Sequence, residues 1–126
     1  MKRFCIGLIL LAVLLTGGWL IQRRMDAIHR PIASALQAAA EAALRQDWAT
    51  ALPLYEQAHA RWAKHHRFTA AFADHTPKDE VDGLFAELQV FAAQREMPHF
   101  AALCLHLQQL ANAMAESHSL SWWNLL

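Results

Sequence analysis

Residues 4–21 read FCIGLILLAVLLTGGWLI, a run of eighteen residues without a charged side chain. Two basic residues precede the run, and Arg23 and Arg24 follow it. Eighteen residues in an α-helix are about long enough to cross the hydrocarbon core of a bilayer. Flanking basic residues, with Trp19 near the distal end, are typical of a membrane anchor. The run therefore predicts a helix that spans a membrane.

A cleaved secretory signal is the main alternative to an anchor, but a signal ends in a small-x-small cleavage site. This run ends instead in Trp-Leu-Ile-Gln-Arg-Arg at positions 19–24, and no cysteine is placed to receive a lipid. We therefore expect an uncleaved single-pass anchor over residues 1–25 in a cell membrane. The flanking charges nearly balance and leave the orientation open, but the very short N-terminal tail favours an extracytoplasmic domain.

The remaining residues, 26–126, are enough for one small domain of about a hundred residues. The chain is 56% hydrophobic and 17% charged, which excludes a disordered protein. Alanine occurs 25 times, whereas only six β-branched residues lie between Ile32 and Leu126. Because strands favour β-branched residues and helices favour alanine, this composition predicts an all-α domain.

Apolar residues recur every three or four positions in four segments of this domain, as on one face of a helix. The first segment continues directly from the anchor, and Pro31 should kink or interrupt it near Ala27. The second follows a cap at Gln46-Asp47 and contains Pro53, a possible bend. The connection between these two segments is short, which implies antiparallel neighbours.

The third segment begins at Thr76-Pro77, with Asp79 and Glu80 in its first turn, a favourable helix start. Pro98 opens the fourth segment after a break at residues 95–97. Both apolar stripes are wide enough to face the core of a bundle. We therefore predict a transmembrane helix followed by a small antiparallel bundle of two helical hairpins.

Large side chains in two regions are candidates for structural or interaction roles. In the second segment, Trp62 should be among the largest buried side chains, with His65 partly buried one turn away. The C-terminal tail is too apolar to extend into water, so it should close the end of the bundle, bind a partner or rest at the membrane interface. The closing role is the favoured one of the three. The candidates are Trp48, Trp62, His65, Trp122, Trp123 and Asn124.

Residues 46–58 resemble the second half of a tetratricopeptide repeat. The resemblance rests on Gln46-Asp47-Trp48, Ala51-Leu52, Tyr55 and Ala58. It covers a single hairpin, whereas a solenoid needs about three such units to bury its faces. We therefore interpret the segment as one helical hairpin packed on another rather than as a peptide-binding array.

Over nearly its full length the chain resembles a family of bacterial membrane-anchored proteins, the domain of unknown function 4363. The resemblance is carried by the anchor, Asp47-Trp48, Trp62-x-x-His65, Asp79-Glu80 and Leu120-Ser121-x-x-Asn124-Leu125-Leu126. It implies an exported helical domain on one transmembrane anchor. Members of the family are often encoded beside another small integral membrane protein. The resemblance implies no enzymatic activity.

The eight histidines of the chain raise the possibility of a metal site. Two sets combine suitable ligands: His59 with His66, and His65 with His75, Asp79, Glu80 and Asp82. Their spacing is poor, because no His-Glu-x-x-His occurs and the side chains of the adjacent residues 65 and 66 leave a helix about 100° apart. We therefore predict no metal or other cofactor.

Nucleophilic catalysis and nucleic-acid binding are disfavoured on other grounds. Cys104 lies in an apolar stripe, where a thiol is usually inert, and no Gly-x-Ser-x-Gly or glycine-rich phosphate loop occurs. From Pro31 onward six Lys and Arg face ten Asp and Glu, an acidic balance that argues against binding a phosphate backbone.

Two functions then remain. The first is a non-catalytic accessory protein that is anchored in the lipid bilayer and docks on another membrane or envelope protein. The second is a small bundle that binds a metal or haem through its histidines and Cys104.

Overall fold

The computed structural model describes the backbone of residues 1–72 and 75–123 and the side chains of residues 1–65 and 78–116. The described backbone forms four α-helices and no strand, which confirms the all-α class. The helices are α1 (Lys2–Leu44), α2 (Trp48–Phe72), α3 (His75–Gln94) and α4 (Met97–Trp123).

α1 is a single helix of 43 residues that carries both the apolar run and the first helix of the domain. Its buried face begins near Met25 and continues to Ala43. Pro31 was expected to kink or interrupt the helix near Ala27, and the interruption does not occur, because the helix continues through Pro31. A proline removes only one backbone donor, and Ile28 and Ile32, on either side of it, are both buried in the core. This packing keeps the two parts of α1 in one helix.

The second half of α1 packs between α2 and α4, and α3 packs mainly against α4. α2 runs antiparallel to α1, so that Trp62 lies beside His29. α4 is also antiparallel to α1, because Gln108 Nε2 donates to Gln37 Oε1 (3.0 Å) whereas the later residue Ala115 contacts the earlier residue Gln22. The predicted pair of helical hairpins is therefore confirmed. α2 continues through Pro53, and α3 begins at His75, slightly ahead of the predicted start.

The alanines of α1 explain how these helices pack. Ala39, Ala40, Ala42 and Ala43 are each 0% exposed. Small side chains let neighbouring helices approach closely, and the space between the helices is filled by larger side chains from the partners. The larger buried residues on α2, α3 and α4 are Tyr55, Trp62, Phe85, Leu88, Phe100 and Leu107.

The two hairpin turns have the same backbone geometry. Gln46 and Arg95 have φ values of 58° and 52°, in the left-handed region. At the first turn, Gln46 N donates to Ala43 O (2.8 Å) and Asp47 N donates to Ala42 O (2.9 Å). The second turn repeats this pair of bonds with Arg95 and the residue after it. This is the Schellman motif, in which glycine usually occupies the left-handed position.

Arg95→Gly should therefore raise the free energy of unfolding by about 1 kcal/mol, because glycine adopts a left-handed conformation without steric cost. Glu87→Gly is the control, since it makes the same type of change at an exposed position inside α3 and should lower stability by about 1 kcal/mol. Denaturant unfolding of the detergent-solubilised chain, followed by circular dichroism, compares the two. Equal losses in both variants would contradict the left-handed geometry at Arg95.

The two ends of the bundle lie at different distances from the apolar run. The turns near Gln46 and Arg95 lie at the far end, about 33 Å from Gln22 along the axis of α1. The C-terminal ends of α2 and α4 and the N-terminal end of α3 lie at the near end, as the bond from Gln22 to Ala115 shows for α4. The bundle therefore has a near end beside the run and a far end away from it.

Candidate functional site

The predicted burial of Trp62 is confirmed, since this residue is 3% exposed. Its ring lies 6.4 Å from the His29 ring on α1 and 6.5 Å from the Phe85 ring on α3. Its Nε1 donates a hydrogen bond to Asp82 Oδ1 at 2.7 Å. Trp62 therefore links α1, α2 and α3 towards the near end of the bundle.

Two residues that contact Trp62, His29 and Asp82, were not predicted from the sequence to do so. His29 is 0% exposed, and its Nδ1 lies 2.9 Å from Met25 O. A signal was present, because His29 falls on the helical face that also carries Ala33 and Leu36. From the sequence, Asp82 is only one of the candidate metal ligands. Its bond to Trp62 bridges twenty residues of sequence, which no local pattern indicates.

Asp82 also has a cationic neighbour one turn away, because Lys78 Nζ lies 3.9 Å from Asp82 Oδ2. The carboxylate is thus placed between an indole N–H donor and an ammonium group. The arrangement stabilises the junction of three helices with a hydrogen bond, an ion pair and two ring contacts.

The other candidates from the sequence are distributed over the molecule. Trp48 is half-buried at the far end, with its ring edge-on to Phe100 at 5.2 Å. His65 is half-buried, as expected. The side chains of Trp122 and Trp123 and the whole of Asn124 lie outside the described residues.

The metal hypothesis gains no supporting observation. Among the described side chains, no group of three or more His, Cys, Asp and Glu residues is placed to hold an ion. His59 instead stacks on Phe85, with ring centroids 4.9 Å apart, and on Tyr55 at 6.1 Å. His66 and His75 have no described side chains.

A family model for a domain of unknown function (DUF4363) matches residues 19–125, most of the chain. The chain belongs to this family. No curated protein and no solved structure gives a significant match. The DUF4363 match includes all of the bundle but begins inside the apolar run. The match therefore supports the helical domain, whereas the evidence for an anchor comes from α1 itself.

The first part of α1 in this DUF4363 protein is long and apolar enough to cross a membrane. Only 6% of the most apolar window is buried, whereas the core helix of a soluble protein is mostly buried. A secretory signal passes the same test of length and composition. The large exposed apolar residues of this part are Phe4, Ile6, Leu8, Ile9, Leu10, Leu11, Val13, Leu14, Leu15, Trp19 and Leu20.

Cys104 of the DUF4363 domain is fully buried on α4. Burial disfavours the thiolate and raises the pKa of Cys104 from 9.0 to about 12. Burial also raises the pKa of Tyr55, and the charges of Cys104 and Glu56 add to this increase. Both groups are therefore neutral at physiological pH, and the thiol is held in its unreactive form.

A Cys5→Ser variant, in which Cys104 is the remaining thiol, should react with a thiol reagent at pH 8 only after it unfolds. In native buffer we expect labelling to be at least a hundredfold slower than in denaturant. Because the folded thiol keeps its proton above pH 9.0, where the unfolded thiol loses it, raising the pH above this value should also favour unfolding. Rapid native labelling with unchanged circular dichroism would contradict the burial of Cys104.

Proposed function

We propose that this chain is a single-pass, non-catalytic accessory protein of the bacterial cell membrane. Its bundle lies outside the cytoplasm and docks on another integral membrane protein. The observation that carries this proposal is the division of α1, which is exposed and apolar in its first half and buried in the bundle in its second half.

The first half of α1 supports anchoring because its apolar side chains are largely exposed rather than buried against the bundle. Val13 is 63% exposed, Ile9 62% and Leu14 58%. Soluble monomers rarely expose a continuous apolar surface of this extent. A bilayer removes this surface from water at a gain of about 25 cal/mol for each Å².

The continuity of α1 determines how the bundle is held at the membrane. No flexible linker separates the apolar run from the buried half of the helix. The bundle is therefore held by a rigid connection, with its near end at the membrane surface and the turns at the far end about 33 Å away. A fixed position of this kind favours contact with a neighbouring membrane protein.

A shallow groove on the apolar run supports a protein partner within the bilayer. Its residues are Ile9, Ala12, Val13, Thr16, Gly17 and Leu20. A Cβ added at Gly17 meets no atom within 4 Å, and Thr16 Oγ1 donates to Ala12 O at 2.7 Å. The groove is therefore open at Gly17, and the Thr16 hydroxyl already has an acceptor for its hydrogen bond. Small residues on such a surface let a second transmembrane helix approach closely.

The orientation is tested with a reporter cysteine at Arg95 in the Cys5→Ser background. Because Arg95 is exposed at the far end of the bundle, an impermeant maleimide added to intact cells should label Arg95→Cys. The same reporter at Lys2 should be labelled only after lysis. Labelling of Lys2→Cys in intact cells, with Arg95→Cys protected, would reverse the proposed orientation.

Docking is tested by site-specific photocrosslinking in native membranes. A photoreactive residue at Val13, in the groove, should give one discrete adduct with an integral membrane protein identifiable by mass spectrometry. Leu11 is the matched control, because it is also exposed and apolar but lies about 200° away around the helix. Gly17→Ile should abolish copurification of the crosslinked protein. Identical products from both positions, or no protein adduct, would contradict docking through this surface.

A further inference from the structure

Two basic residues of α2 carry charges that the bundle does not use. Arg61 and Lys64 lie one turn apart, before and after Trp62 in the sequence, and both are exposed. Among the described residues, neither forms an ion pair. A cation complements the helix dipole only in the last turn, whereas α2 continues beyond Lys64 to Phe72. Both positive charges are therefore available to a ligand.

The antiparallel packing of α2 on α1 brings these cations close to the apolar run. The Trp62 ring lies 6.4 Å from the His29 ring, and His29 lies about 12 Å beyond Ile21 along the axis of α1. Because α2 runs back towards the run, the backbone of Lys64 lies about 9 Å beyond it. The headgroup layer is about 5–8 Å thick, and long basic side chains extend their charge towards such a layer. Both cations therefore reach headgroup level if the run spans the hydrocarbon core.

The two cations lie on the side of α2 that faces away from α3. His59 stacks on an aromatic ring of α3, with ring centroids 4.9 Å apart. Lys64 and Arg61 lie about 140° and 200° from His59 around the axis of α2. The near end of α3 instead exposes two acidic residues, Asp79 and Glu80. The near end of the bundle is therefore basic along α2 and acidic along α3.

We propose that Arg61 and Lys64 bind the phosphate of an anionic phospholipid such as phosphatidylglycerol, and the proposal rests on the membrane anchoring argued above. The guanidinium and the ammonium both donate charge-assisted hydrogen bonds to the phosphate oxygens. Phosphatidylcholine is a weaker ligand, because its own quaternary ammonium balances the phosphate charge. A lipid is the ligand that the depth of the two residues favours, since a bilayer around the run supplies headgroups at this level. The bound lipid holds the α2 side of the bundle against the membrane.

The proposal is tested with the full chain in detergent, titrated with phosphatidylglycerol or phosphatidylcholine and measured by native mass spectrometry. The parent chain should prefer phosphatidylglycerol. The double variant Arg61→Gln/Lys64→Gln should lower the affinity for phosphatidylglycerol roughly twentyfold, or about fivefold for each cation lost. Its affinity for phosphatidylcholine should change less than about twofold. The control Arg45→Gln/Arg95→Gln removes the same charge at exposed positions of the far end and should bind both lipids as the parent chain does.

Equal affinity of the parent chain for the two lipids, or equal losses in the two double variants, would overturn the proposal. Displacement of the lipid by glycerol phosphate at the same concentration would overturn the membrane source of the ligand. Vesicle flotation separates this inference from the proposed function. A chain that floats with phosphatidylcholine vesicles but shows no lipid preference is anchored without this surface, whereas a chain that floats with neither lipid contradicts the anchoring itself.

Discussion

Trp62→Ala is expected to lower the free energy of unfolding by about 3–5 kcal/mol, the range for removing a buried aromatic side chain. Trp62 is 3% exposed and contacts rings on α1 and α3, so truncation leaves a cavity where three helices meet. Small domains have a total stability of about 5–15 kcal/mol. Thermal and denaturant unfolding of the full chain in detergent should therefore show a large shift or a loss of the cooperative transition.

Two further variants separate packing from hydrogen bonding at this position. Trp62→Phe keeps a ring but loses the hydrogen-bond donor to Asp82. Beyond the effect of the smaller side chain, it should lower the free energy of unfolding by only about 1 kcal/mol, because water can hydrate the partly exposed Asp82 carboxylate. Trp19→Ala is the matched control, since Trp19 is 57% exposed on the apolar run. Unchanged unfolding of Trp62→Ala would place this residue outside the core and refute the packing of α2 described above.

Phe100→Ala is expected to cost a similar amount, about 3–5 kcal/mol, at the opposite end of the bundle. Phe100 is 0% exposed and makes edge-on contacts with Trp48 at 5.2 Å and Tyr55 at 6.0 Å. These contacts join α4 to α2 close to the turn at Gln46. The same unfolding experiments measure the loss.

Phe91→Ala provides the comparison for Phe100→Ala. Phe91 is only half-buried and stacks on the exposed ring of His99 at 4.9 Å, so its removal should cost about 1 kcal/mol. If the two substitutions had equal effects, the core at the far end would not be centred on Phe100.

Most of the secondary structure was predictable because it depends on residues close together in the sequence. The three-and-four spacing of apolar residues indicated four helical segments, and the breaks at Gln46 and Arg95 lie where the structure has turns. The burial of Trp62 also followed from its helical stripe. The interruption expected at Pro31 does not occur, since a local rule does not include the packing on either side of it.

The candidate sites were less predictable because their residues come from different helices. The bond between Trp62 and Asp82 joins α2 to α3, and the bond between Gln22 and Ala115 joins α1 to the C-terminal part of α4. Neither pairing leaves a repeat or a spacing in the sequence. Alanine content indicated helices, but it did not indicate that α1 would be the helix packed between two others.

The sequence by itself determined the apolar run, the all-α class and the two hairpins, since helical periodicity and short connections are properties of neighbouring residues. Only the tertiary structure decided that Pro31 does not interrupt α1 between the run and the core. It also connected His29, Trp62 and Asp82. The physical reason is that side-chain packing and hydrogen bonds between helices depend on their relative rotation and distance, which arise when all four helices pack together.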